Sequence, residues 1–134
     1  MAVTEQEARE AGARPLAYFS HDAGAASDLK CRRLVRRLGV EGYGRWWLLC
    51  ELLASSDWHR VDVGDDEGME LLADSLMCTV EEAASFLATL AEVGLIDAGA
   101  LGDGIVSSER MLRNAMTVGW QRAYGKTGGR PRKK

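Results

Sequence analysis

The sequence is poor in the side chains that most often carry chemistry. It has two histidines, His21 and His59, and three cysteines, Cys31, Cys50 and Cys78, with no Cys-x-x-Cys spacing among them. So few and so scattered thiols exclude a disulfide framework and read as reduced, mostly buried side chains. No nucleophile, base or metal set assembles from these residues, so the chain is not expected to be an enzyme, and no cofactor is implied. Long apolar runs are missing too. The longest stretch of strongly apolar residues is Trp46 to Cys50, against the roughly 20 that a membrane span requires. The start carries Glu5, Glu7 and Glu10, where a secretory signal would have a basic and then an apolar block. A cytoplasmic protein with no membrane partner is the expectation.

What is present is enough for one core: 134 residues, 46% of them hydrophobic, the size of a single domain. The net charge of −3 conceals a strong segregation of sign. Residues 1–40 hold seven basic and five acidic side chains, net +2; residues 41–109 hold two and fifteen, net −13; residues 110–134 hold eight and none, net +8. Such a field bears on partners more than on fold.

Along the chain, residues 1–15 are small, polar and Ala/Gly-rich and end in Pro15, which predicts a disordered start and a folded domain over 16–122, anchored first by Tyr18 and Phe19. Ser27 precedes a helix with Cys31, Leu34, Val35 and Leu38 on one face, Lys30, Arg32, Arg33, Arg36 and Arg37 on the rest, and Gly39 as its stop. Glu41 to Leu53 forms a second helix in which Tyr43, Trp46, Trp47, Cys50 and Leu53 share a side and read as core rather than as a base-stacking surface. Trp58 to Val63 alternates as a strand. Met69, Leu72, Ala73 and Leu76 mark a third helix, and Thr79 with Glu82 forms a capping box opening a fourth, which runs to Gly94. Leu95–Asp97 and Ile105–Val106, around a Gly-rich tip, predict a β-hairpin. Ser108 caps a last helix with Leu112, Ala115 and Met116 inward, and Gly119 and Gly125 are expected to end regular structure.

This order predicts a mainly α (α+β) fold, a winged helix-turn-helix with a small β-hairpin wing. The two helices joined at Thr79 would be the helix-turn-helix. A plain helical bundle with an incidental hairpin is the alternative. Tyr18-Phe19-Ser20-His21-Asp22, the basic helix, and the block from Glu41-Gly42-Tyr43-Gly44 through Arg45-Trp46-Trp47 to Leu49 together resemble the N-terminal domain of phage replisome organisers and DnaD-like replication initiators. That resemblance spans roughly Tyr18 to Met116. It implies a winged-helix DNA binder acting in replication initiation of phages or other mobile elements, with replication proteins or self-association as further partners.

Within that frame the fourth helix carries Glu81, Glu82 and Glu92 and no cation, so base readout is not assigned to it. The cations gather instead at the carboxyl end. Residues 123–134 read as a flexible basic tail, and Gly129-Arg130-Pro131 resembles the core of an AT-hook, with Gly128 in place of its usual arginine. An AT-hook implies an A·T-rich duplex, with Arg130 in the narrow minor groove. The expected DNA contacts are Arg110, Arg113, Arg122, Lys126, Arg130, Arg132, Lys133 and Lys134. Lys30, Arg33 and Arg37 are secondary candidates that either reach DNA or pair with the acidic body. The alternative function is a protein-interaction module, or a DNA-mimic inhibitor, that docks a basic partner on the −13 body. His21 and Asp22 suit a local turn better than a metal or catalytic pair.

Overall fold

The structure, a computed structural model, describes residues 2–126. Within them run helices α1 (Glu5–Gly12) and α2 (Leu29–Ala54), strand β1 (Arg60–Asp62), helices α3 (Asp66–Ser75), α4 (Val80–Val93) and α5 (Ala98–Gly102), strand β2 (Ile105–Ser107) and helix α6 (Glu109–Lys126). Single 3-10 turns lie at Ala25–Ser27 and Asp57–His59. The fold is mainly helical with a small antiparallel sheet, the class that the residue pattern implies.

Both ends differ from expectation, for one shared reason. Residues 5–12 are helical, not disordered: Thr4 Oγ1 accepts from the Glu7 amide, and Glu7 Oε1 accepts from the Thr4 amide, each at 3.1 Å. Helix α6 in turn continues through Gly119 to Lys126. The small residues that suggested disorder at one end and a helix stop at the other are where α1 and α6 meet. A Cβ on Gly12 would strike the Ala115 carbonyl, and one on Gly119 would strike the Ala8 carbonyl. Absent side chains let the two backbones touch. Val3, Ala8 and Ala123, with Met116 and Trp120 against them, form a small core of their own.

The main core lies among α2, α3, α4 and the sheet. Leu34, Trp46, Leu49 and Leu53 of α2 pack with Leu72, Leu76, Phe86, Leu87 and Leu90. Helix α2 is broken at Gly39, whose φ of 72° is open to glycine at little cost. Asp28, not Ser27, caps it, accepting from the Lys30 amide at 3.1 Å. The capping box at Thr79 and Glu82 opens α4, and Gly94, with φ 85°, closes it.

The hairpin is the second correction. Strand β2 pairs with β1, Val106 opposite Val61, and not with 95–97. The Ala/Gly segment taken for a wing tip is the short helix α5. Asp97 caps it, accepting from the Ala100 amide at 3.0 Å, which favours a helical turn over a hairpin loop. A single bond from the Asp97 amide to the Ser107 carbonyl keeps 95–97 beside β2. The strand expected over 58–63 is shortened to 60–62, because Trp58 and His59 adopt left-handed backbone. Leu112, expected inward, is exposed, and Met111 takes its place in the core.

Candidate nucleic-acid interface

The segment from Tyr18 to Asp22 has no regular structure of its own, so its position depends on what it packs against. It lies across Trp47, midway along the second half of α2. The His21 ring stacks on the indole with centroids 3.5 Å apart and planes 10° apart, Phe19 stacks at 5.9 Å, and Tyr43 meets it edge-on at 6.2 Å. Trp46, one residue earlier, points into the core and is 1% exposed.

Arg110, in the first turn of α6, completes this cluster. Its guanidinium lies 5.4 Å from the Trp47 ring centroid and donates to the Ser20 carbonyl and to Asp22 Oδ2 at 3.4 and 3.3 Å. The two sequence blocks that carry the family resemblance thus meet around one tryptophan. Arginine holds them there by stacking and by its fork of donors. Asp22 also takes the local turn role, its carbonyl accepting from the Ala25 amide at 3.0 Å.

The other candidate cations have different surroundings. Arg122 donates to the carbonyls of Ala11, Arg14 and Pro15 at 3.0, 3.3 and 2.9 Å, which satisfies oxygens where α1 ends and places positive charge at its negative pole. Arg113 is exposed and, among the described residues, pairs only with Glu109, 3.0 Å away on the preceding turn. Lys126 is the last residue of α6. Arg130, Arg132, Lys133 and Lys134, with the AT-hook-like stretch, lie outside the described residues.

On the basic face of α2 the acidic body claims one residue, Arg37, which pairs with Glu92 of α4. The Lys30 stem runs beside Gly94. Arg32, Arg33 and Arg36 are exposed and carry no ion pair among the described residues. A cleft of about 750 Å³ opens between the start of α2, residues 94–97 and the start of α6. Lys30, Arg110 and Arg113 face Asp22, Asp28, Asp97 and Glu109 around it, so cations do not predominate on its walls.

Helix α4 presents Glu81, Glu82 and Glu92 to solvent. The hydrogen bonds from the Thr79 backbone and hydroxyl hold the Glu82 carboxyl below its usual range, so it remains charged. No group of three or more His, Cys, Asp or Glu among the described residues could hold a metal ion. Burial pushes the Cys50 thiol up to about 12, and burial raises Cys31 and Cys78 as well. These thiols are poor nucleophiles. Among the described residues no helix is long and apolar enough to cross a membrane.

Two features escape a reading of the residues alone. The Trp47–Arg110 contact joins positions 63 apart, and only the fold brings them together. Trp58 was placed in a strand, whereas it is 46% exposed; the polar run Ser55-Ser56-Asp57 before it is the one local sign of a surface turn. Compared with known proteins, residues 18–111 match the family model described as Lin1244/Lin1753-like, N-terminal. No curated protein and no solved structure matches the chain.

Proposed function

Since the chain belongs to the Lin1244/Lin1753-like N-terminal family, whose description names no activity, we propose from its own residues that it binds double-stranded DNA. It does so mainly through phosphates, in the replication of a phage or other mobile element or in the regulation of that replication. The observation that carries this reading is the segregation of charge. Residues 123–134 hold five cations and no carboxylate, attached to a body whose residues 41–109 are net −13. A duplex drawn to the tail is repelled by the body, which fixes which end of the molecule meets it.

Three further features support it. The α3–turn–α4 pair beside the small β1–β2 sheet follows the order of a helix-turn-helix, with helix α5 where a hairpin wing would turn. The Tyr18–Asp22 and Glu41–Leu49 blocks resemble those of replisome organisers and DnaD-like initiators. Arg32, Arg33 and Arg36, without an ion pair among the described residues, stand on α2 as a second row of phosphate donors. Arg110 and Arg122 are engaged within the fold, so the DNA-facing set is Arg113, Lys126, Arg130, Arg132, Lys133 and Lys134.

A second reading rests on one observation: Leu71 and Met77 are 62% and 77% exposed beside the acidic α3 and α4, a surface suited to a basic, partly apolar protein. A gel shift separates the two. The full chain should retard duplexes at moderate salt, A·T-rich ones more than G·C-rich ones, and removal of residues 125–134 should weaken the shift. Equal indifference to every duplex, with or without those residues, would leave only the protein-docking reading.

A further inference from the structure

The turn after α2 places a half-exposed tryptophan at the surface. Trp58 is 46% exposed, and both it and the next residue, His59, have left-handed backbone, with φ of 58° and 52°. Each such non-glycine residue costs on the order of 1 kcal/mol and persists only where its surroundings hold it.

Here they do. The Trp58 amide donates to the Ala13 carbonyl at 2.6 Å, and the His59 amide donates to the Ser56 carbonyl at 3.1 Å. The His59 ring, 1% exposed, lies with Nδ1 2.9 Å from the Leu53 carbonyl and Nε2 against the Gly12 carbonyl. The indole is therefore presented from a buried, doubly tied base. It does not hang from a frayed loop.

The groove beside it, about 380 Å³ between α1 and α6, has Ala13, Leu112 and Met116 as apolar lining and Arg9, Arg113 and the carboxylate of Glu109 along its walls. Leu112 is 45% exposed there. Among the described residues the two arginines are tied only by exposed pairs one helical turn away, to Glu5 and Glu109, which a phosphate can displace because such pairs contribute little. Arg60, two residues beyond Trp58, and Arg14, next to Ala13, are exposed and have no ion pair among the described residues.

We propose that Trp58 is a stacking platform for an unpaired base of single-stranded DNA, with Arg9 and Arg113 on the flanking phosphates. An indole face with guanidinium groups beside it is the pairing that single strands use, since every base offers a π-face and every linkage a negative charge. A second copy of the chain fits less well. A two-fold contact at this groove would gather the two arginines of each copy, four guanidinium groups, in one interface. None of the site's residues belongs to residues 123–134, although Arg113 is shared with the duplex-facing set.

The test measures a labelled oligodeoxythymidylate and a labelled duplex against the full chain, Trp58→Phe and Trp58→Leu. The expected result is that Trp58→Leu, which keeps apolar bulk without a ring, lowers single-strand affinity by about 5- to 100-fold, while Trp58→Phe retains most of it. The oligomer should quench tryptophan emission in the wild-type chain and quench it less in Trp58→Leu. Duplex affinity should be unchanged in both variants. That arm keeps this site separate from the tail, whose removal weakens the duplex and leaves the quenching in place. Wild-type single-strand affinity in Trp58→Leu would overturn the proposal. So would sedimentation of the wild-type chain as a dimer that Trp58→Leu dissociates.

Discussion

Arg122 shows how one cation can be diverted from a ligand to the fold. Its fork reaches three carbonyls near the end of α1, and a hydrogen bond from a charged donor contributes about 1.5–3 kcal/mol. Arg122→Ala should therefore lower stability by about 2 kcal/mol in urea unfolding and leave the salt dependence of duplex binding as it was. Lysine, a single compact donor group, should restore only part of the loss. Cys50 allows a pH prediction. Its thiol, 3% exposed, is held up at about 12 by burial, against an ordinary value of 9.0. An acid that stays protonated in the folded state while ionising in the unfolded one weakens folding as pH rises above its ordinary value. Stability should fall above pH 9 by up to about 1.4 kcal/mol per unit, and denaturation of Cys50→Ala over the same range should show a shallower decline.

Among the elements, the α1–α6 crossing depends on two absent side chains. Gly119→Ala puts a methyl into the Ala8 carbonyl; forcing bulk into a packed contact costs about 1–3 kcal/mol. Limited proteolysis should then cut near α1 first, with the α2–α4 core intact. The start of α4 is set by chemistry instead of space. Thr79→Ala should cost about 1 kcal/mol. The Glu82 carboxylate, held below its usual range by hydrogen bonds from Thr79, supports the helix above the ordinary carboxylate range and loses that support as pH falls through the lowered value. Part of the acid sensitivity of unfolding should vanish in the variant.

These two elements also show what could be read from the residues. The box at Thr79 and Glu82, the stop at Gly94 and the break at Gly39 are local chemistry, and they stand where their patterns placed them. The crossing of α1 and α6 was hidden because Ala and Gly look alike in a loose tail and in a close helix contact. Which applies depends on a partner more than a hundred positions away. The hairpin differs for a related reason: Ile105 and Val106 do form a strand, but its partner is at 60–62, across three helices. For the candidate site, the arginine positions were legible and their occupations were not. Nothing in the order of residues says that Arg110 turns to Trp47, that Arg37 turns to Glu92, or that Trp58 turns outward.

At the scale of the whole molecule, the matter is an acidic globule joined to cationic flanks. Helix α4, which by its place in the chain order would enter a major groove, shows carboxylates to solvent, so sequence readout of bases cannot come from it. In the DNA binding proposed here affinity would come from neutralised phosphates, with release of counterions as its signature. The most direct measurement is the slope of log affinity for a duplex against log salt, taken for the full chain and for a variant with Lys126, Arg130, Arg132, Lys133 and Lys134 all changed to glutamine. The expected result is a linear fall for the full chain and a slope smaller in magnitude by up to about 4.5 for the variant, close to 0.9 for each of the five cations removed. Identical slopes for the two proteins, or no duplex binding by the full chain at low salt, would contradict DNA binding through the carboxyl-terminal cations.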